Sequence, residues 1–256
     1  MNEKISIFLD ISPELSGSDA ARRLGEAFLH DENSPLTLRL DGEGLSLHAD
    51  GQVLRGDFTR MLSRVKPGMP AHEMLVKTAK IKNPDGPLTA VDATAGLGED
   101  SILLAAGGFH VTLFERNPVI HALLSDALDR AKAVPELAGI VERMELHFAD
   151  SIDGMRALDF RPDVILLDPM FPARQKSALV KKKLQMIQKL EFPCIDEGEL
   201  ILSAMGAGPK KLIIKRPPKG PYLAGIKPDH SIEGKAVRFD CIVSPLDRIE
   251  KFKSLL

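Results

Sequence analysis

The chain has 256 residues, 44% hydrophobic and 27% charged, enough to bury a full core and too apolar for a disordered or fibrous class. A formal net charge of -2 excludes a wholesale nucleic-acid coat but leaves room for a local basic face. Two cysteines, Cys194 and Cys241, exclude a disulfide framework; with no leader pattern and no apolar run of roughly 18 residues, a soluble cytoplasmic protein is expected, not a membrane one.

Residues 1–60 read as a small N-terminal α+β domain. Lys4 to Leu9 alternates like a strand, and Asp19 to Leu29 has helical spacing. Leu36 to Leu40 and Leu45 to His48 flank an Asp-Gly-Glu-Gly turn, which predicts a hairpin, and Val53 to Phe58 adds a further strand. Pro70 to Ile81 is expected to be a helix inside a lysine-rich and arginine-rich stretch.

From Leu88 onward strands and helices alternate, the pattern of a parallel sheet covered on both faces, so residues 61–256 form an α/β, Rossmann-like domain. Strands are expected at Leu88 to Ala93, His110 to Phe114, Met144 to Phe148, Asp163 to Leu167 and Lys211 to Ile214. Val237 to Val243 should pair antiparallel at the edge. Asn117 and Pro118 supply a cap and a first-turn proline for a helix through Lys132. Helices are also expected at Ser177 to Leu190 and Glu197 to Met205.

The first strand runs into VDATAGLGEDS, where Gly96 and Gly98 let backbone approach a nucleotide and the following helix start offers free amides. The spacing is D-x-x-x-G-x-G, not the dinucleotide fingerprint G-x-G-x-x-G, and it resembles the first motif of class I S-adenosylmethionine-dependent methyltransferases, with Thr94 where a third glycine is usual. Glu99 and Asp100 open the helix, where acids are also favoured by the helix dipole. Glu115 ends the next strand 17 positions after Gly98, about where an acid accepts ribose hydroxyls. Arg116 faces either adenine or solvent, and Asp150 with Ser151 closes the third strand, near an adenine amino group.

Asp168-Pro169-Met170-Phe171-Pro172 resembles the D/N-P-P-Y/F motif of methyltransferases acting on exocyclic nitrogen. Such an amine has its lone pair delocalised into the ring. A carboxylate and a carbonyl accepting its two hydrogens favour a tetrahedral nitrogen and aim it. Asp168 and the Pro169 carbonyl suit that task, with Phe171 stacking on the base. Arg174, Lys176, Lys181, Lys182 and Lys183 follow, and Lys215 and Arg216 belong to a second basic cluster; both groups suit RNA phosphates.

Together with LFERNPVI, QKSALVKKK, IIKRPP and RFD, these motifs resemble the bacterial ribosomal RNA small-subunit guanine-N2 methyltransferase family called RsmJ, most densely from Asp57 to Asp240. The resemblance implies methylation of a guanine N2 near the 3′ end of 16S ribosomal RNA, with S-adenosylmethionine as donor, S-adenosylhomocysteine as product and no metal. It implies cofactor contacts at Glu99, Asp100, Glu115, Arg116, Asp150, Ser151 and Asp168. An N-methyltransferase of DNA adenine or protein glutamine, and a non-catalytic RNA-binding assembly factor, are the competing readings.

Overall fold

The computed structural model describes residues 4–82, 84, 86–169 and 197–253. The chain opens with β1 (Ser6–Ile11), α1 (Asp19–Ala27), β2 (Leu29–His30), β3 (Thr37–Asp41), β4 (Gly44–Ala49) and β5 (Gln52–Leu54). These strands make one sheet in the order β2-β1-β3-β4-β5, with the expected hairpin at β3 and β4. The strand expected through Phe58 stops at Leu54, because Asp57 turns the chain by accepting the Thr59 amide and starting a 3-10 turn.

Two short helices follow, α2 (Leu62–Val65) and α3 (Met74–Ala79). The single helix expected over Pro70 to Ile81 is broken: Pro70–His72 is a 3-10 turn and Glu73 is extended. Arg64 reaches both carboxylate oxygens of Glu73, at 2.8 and 2.7 Å, which ties the break to the preceding helix. Within this basic stretch Arg60 is likewise paired, with Asp57 at 3.4 Å.

The second sheet is built by β6 (Leu88–Asp92), α4 (Glu99–Ala106), β7 (Phe109–Glu115), α5 (Pro118–Lys132), α6 (Pro135–Val141), β8 (Met144–Phe148), α7 (Ser151–Arg156), β9 (Val164–Leu167), α8 (Glu197–Gly206), β10 (Lys211–Arg216), β11 (His230–Glu233), β12 (Arg238–Val243) and α9 (Ile249–Lys253). Its seven strands run β11-β12-β10-β9-β6-β7-β8. From β10 to β8 every pairing is parallel. The strand expected at the edge, β12, is antiparallel but interior: β11 pairs with its far side and takes the edge.

Strand order reverses at β6, whose neighbours are β7 on one side and β9 on the other. Open α/β sheets bind ligands at the carboxyl end of such a crevice, since the connections leave in opposite directions and part there. The central strands can lie there because they are apolar on both faces: Val164, Ile165, Leu166 and Leu167 are all fully buried. One face packs on α4, α5 and α6, and the other on α7 and α8. Asn117 caps α5 by accepting the Val119 and Ile120 amides, with Pro118 in the first turn, as the sequence pattern requires.

Candidate active site

At the end of β6 the backbone turns away from the sheet with Gly96 at φ +54° and Gly98 at φ +75°. Gly98 starts α4, and a Cβ on it would lie 2.9 Å from Leu124 and 3.0 Å from Phe58. Gly96 differs. A Cβ there would meet nothing within 4 Å, so the loop presents bare backbone to open space.

Glu115, 6% exposed, sits behind this loop and fixes it. Its Oε2 accepts the Gly96 amide at 3.1 Å and its Oε1 the Asn117 amide at 2.7 Å. Burial pushes its pKa up, and the two amides oppose that shift. Each carboxylate oxygen has a second lone pair, so the capacity to accept a ribose hydroxyl survives. Beyond it, Arg116 pairs with Asp150 at 3.2 Å across the ends of β7 and β8. Asp150 also caps α7 by accepting the Ile152 amide, which leaves Ser151 in the first turn. Glu99 is exposed on the first turn of α4, one residue before Asp100.

Asp168 follows β9, directly across the crevice from the glycine loop. Its amide donates to Thr94 Oγ1 at 2.7 Å, and the Thr94 amide donates to Asp92 Oδ1 at 3.1 Å. A glycine at position 94 would leave the Asp168 amide without that partner, which explains the departure from the usual motif. Ser101 closes the chain of contacts by donating to Asp92 Oδ2 at 2.6 Å. Neither Thr94 nor Ser101 stands out in the sequence as a site residue; the hydroxyl at an expected glycine position is the signal that could have marked Thr94.

Lys215 corrects an expectation. Read from the sequence as a phosphate contact, it lies near the end of β10 with Nζ 3.0 Å from Asp168 Oδ2 and in an ion pair with Asp100. It therefore bridges two carboxylates inside the crevice, offsetting one of their two negative charges. Burial works against its charge, but Asp100 and Asp168 outweigh burial and hold its pKa above the ordinary lysine range. Burial also pushes Asp168 up, against the pull of Lys215. Arg216 is a second correction: it is 1% exposed and its Nε donates to the Pro221 carbonyl at 2.8 Å, so its guanidinium is not on the surface for phosphate. Lys210 and Lys211 are drawn to the opposite end of the strand by Asp163 and by the Thr78 and Lys80 carbonyls. Pro169 is buried behind Asp168, whereas Phe171, Arg174, Lys176, Lys181, Lys182, Lys183 and the helix expected at Ser177 to Leu190 lie outside the described residues.

The crevice thus holds a bare glycine turn, an acid behind it, a polar pair beyond the next strand and a lysine-bridged pair of aspartates opposite. That donor set fits S-adenosylmethionine: open backbone at Gly96 for close approach, Glu115 for ribose hydroxyls, Arg116 and Asp150 beside the adenine end, and carboxylates toward the cationic methionine end. Among the described residues no helix is long and apolar enough to cross a membrane.

Comparison with known proteins agrees with the geometry. Residues 22–244 match the family model SAM_MT, described as "Putative SAM-dependent methyltransferase". The chain is 41% identical over 212 residues to ribosomal RNA small subunit methyltransferase J of Marinobacter nauticus, covering 80% of this chain and 76% of that one. It is 42% identical over 219 residues to the protein of the same name from Thioalkalivibrio sulfidiphilus, covering 82% and 86%. The crystal structure of a SAM-dependent methyltransferase from Neisseria gonorrhoeae superposes with a TM-score of 0.72 at 30% identity, over 93% of this chain and 96% of that one. With a family model matched over residues 22–244 and relatives above 40% identical over most of its length, the chain belongs to the ribosomal RNA small subunit methyltransferase J family of S-adenosylmethionine-dependent methyltransferases.

Proposed function

We propose that this enzyme methylates the exocyclic N2 of one guanine in 16S ribosomal RNA of the small subunit, in the cytoplasm. The observation that carries the reading is the placement of Asp168, fixed by Thr94 through its amide and by Lys215 through its carboxylate, across the crevice from the Gly96 turn. The names of the relatives, each a ribosomal RNA small subunit methyltransferase, support the substrate class.

S-adenosylmethionine supplies a methyl group already activated by its sulfonium. The protein's task is therefore to aim the amine and adjust its hydrogens rather than to form a covalent intermediate. Asp168 is the stronger acceptor for an N2–H when ionised. Lys215 pulls its pKa down, against the burial that favours the neutral acid. With its N–H held by a carboxylate, the nitrogen is drawn toward tetrahedral geometry, and fixed orientation replaces a chance encounter, an effect worth orders of magnitude in rate. The proton is lost from N2 after transfer, from a group already directed at Asp168. The basic residues at 174–183 and the stacking assigned to Phe171 belong to the same reading and rest on the sequence pattern alone.

Mapping N2-methylguanine in 16S ribosomal RNA from cells lacking this protein tests the reading. One modified guanine should disappear, wild-type protein should restore it, and Asp168→Ala, expected to lower turnover by about 100-fold or more, should not. An unchanged modification profile would overturn the assignment.

A further inference from the structure

We propose that the segment Pro217 to Tyr222, immediately after β10, is a rigid platform on which a nucleotide flanking the target base is held, with its base stacked on Tyr222 and a phosphate met by Lys219. The inference rests on the RNA-methylating reading and extends it to residues which that reading leaves idle.

The segment contains three prolines and begins two residues after Lys215, at the carboxyl end of the sheet where Asp168 lies. Prolines lack an amide hydrogen, so few donors of the loop's own backbone are available to hold it, and one of them, the Gly220 amide, closes a turn on the Pro217 carbonyl at 2.9 Å. Side chains grip the loop's carbonyls as well. Arg238 donates to the Pro218 carbonyl at 2.9 Å and the Gly220 carbonyl at 3.1 Å, and Arg216 donates to the Pro221 carbonyl at 2.8 Å. The two arginines are register partners on β12 and β10. Asp240 holds the Arg238 fork with both oxygens, each at 2.8 Å, and also accepts the Ser231 hydroxyl. Burying two guanidiniums is costly unless they are well paired, and what these achieve is a fixed loop.

What the clamp displays is exposed. Lys219 and Tyr222 stand out, while Leu223, 1% exposed, anchors the far end. Tyr222 is the chain's single tyrosine, in a protein without tryptophan, and it remains 38% exposed. Arg238 lies 5.1 Å from its ring centroid, a cation on the ring that sets its plane. A fixed aromatic beside a cation, at the rim of a site that must hold a single nucleotide, matches the way unpaired RNA bases are held: ring stacking for the base and a lysine for the backbone.

The test is fluorescence anisotropy of the full-length protein with a labelled transcript of the 3′ end of 16S ribosomal RNA. Tyr222→Ala should weaken binding about 10-fold or more, and Tyr222→Phe, which keeps the ring, should bind as wild type. Lys219→Ala should reduce the dependence of log affinity on log salt by about one charge. S-adenosylmethionine affinity and the thermal transition, measured on the same variants, should not move. Binding by Tyr222→Ala within about twofold of wild type, or an equal loss in Tyr222→Phe, overturns the platform. No binding by the wild type overturns both this inference and the ribosomal RNA reading. Tyr222-dependent binding without methylation of any ribosomal RNA supports the platform and overturns the methylation reading alone.

Discussion

Asp92 ends β6 with its side chain sealed from water, 2% exposed, between the Thr94 amide and the Ser101 hydroxyl. Burial pushes its pKa up to about 7; the Ser101 and Thr94 hydrogen bonds oppose the rise and the nearby charges of Asp100 and Asp168 add to it. In the unfolded chain the same group titrates near 3.9. Between those values the folded protein holds a proton that the unfolded chain has released, so stability from this group falls as pH rises through the window, and the loss is complete above about pH 7. Asp92→Asn keeps an acceptor for Thr94 and removes the ionisation. Thermal melts should show the variant more stable than wild type at about pH 8, by roughly 1–3 kcal/mol, with the gap closing toward about pH 4. A gap independent of pH would show that packing, not charge, sets the difference.

The glycine turn between β6 and α4 separates two roles that look alike in the sequence. Gly98→Ala forces a Cβ against Leu124 and Phe58 at positive φ, so it should destabilise the fold by about 2 kcal/mol or more in urea titration. Gly96→Ala meets no protein atom, so it should cost only about 1 kcal/mol in stability while weakening S-adenosylmethionine binding, measured by calorimetry, because it fills the open space before the loop. Equal losses of stability in both would refute the distinction. This turn was legible because strand, small-residue bend and helix cap each leave a local pattern; Glu115 was legible from its distance to the turn, and Asn117 with Pro118 marked the start of α5 to the residue. What stayed hidden was nonlocal. Lys215 and Arg216 are adjacent basic residues in sequence, and only the pairing of β10 with β9 and β12 sends one to Asp168 and the other into the interior. Strand β11 carries too little apolar pattern to announce itself, so the edge was assigned to β12.

The two sheets are joined through a shared core. Leu97 of the glycine loop and Val119, Ile120 and Leu123 of α5 pack among Leu38, Leu45, Leu47 and Leu54 of the N-terminal sheet. Polar ties reinforce the contact: the Leu45 amide donates to Asp126 at 3.0 Å, and Arg130, paired with Asp126, donates to the Gly56 carbonyl. We infer that residues 1–60 are a unit docked on 61–256 whose removal uncovers one side of α5. Losing cover over Ile120 and Leu123 alone costs roughly 3–6 kcal/mol, a large part of the 5–15 kcal/mol that holds an ordinary domain together. Full-length protein should therefore unfold in urea in one transition, with aromatic and backbone signals superimposed, and a chain beginning after Gly56 should be insoluble or lack a cooperative melt. Because Leu97 lies in the same core as α5, loosening that contact also reaches the bend that faces S-adenosylmethionine, so point changes at the interface such as Leu47→Ala should weaken donor binding as well as stability. A shortened chain that melts cooperatively and binds the donor as tightly as the full protein would show that the glycine turn is held by the second sheet alone.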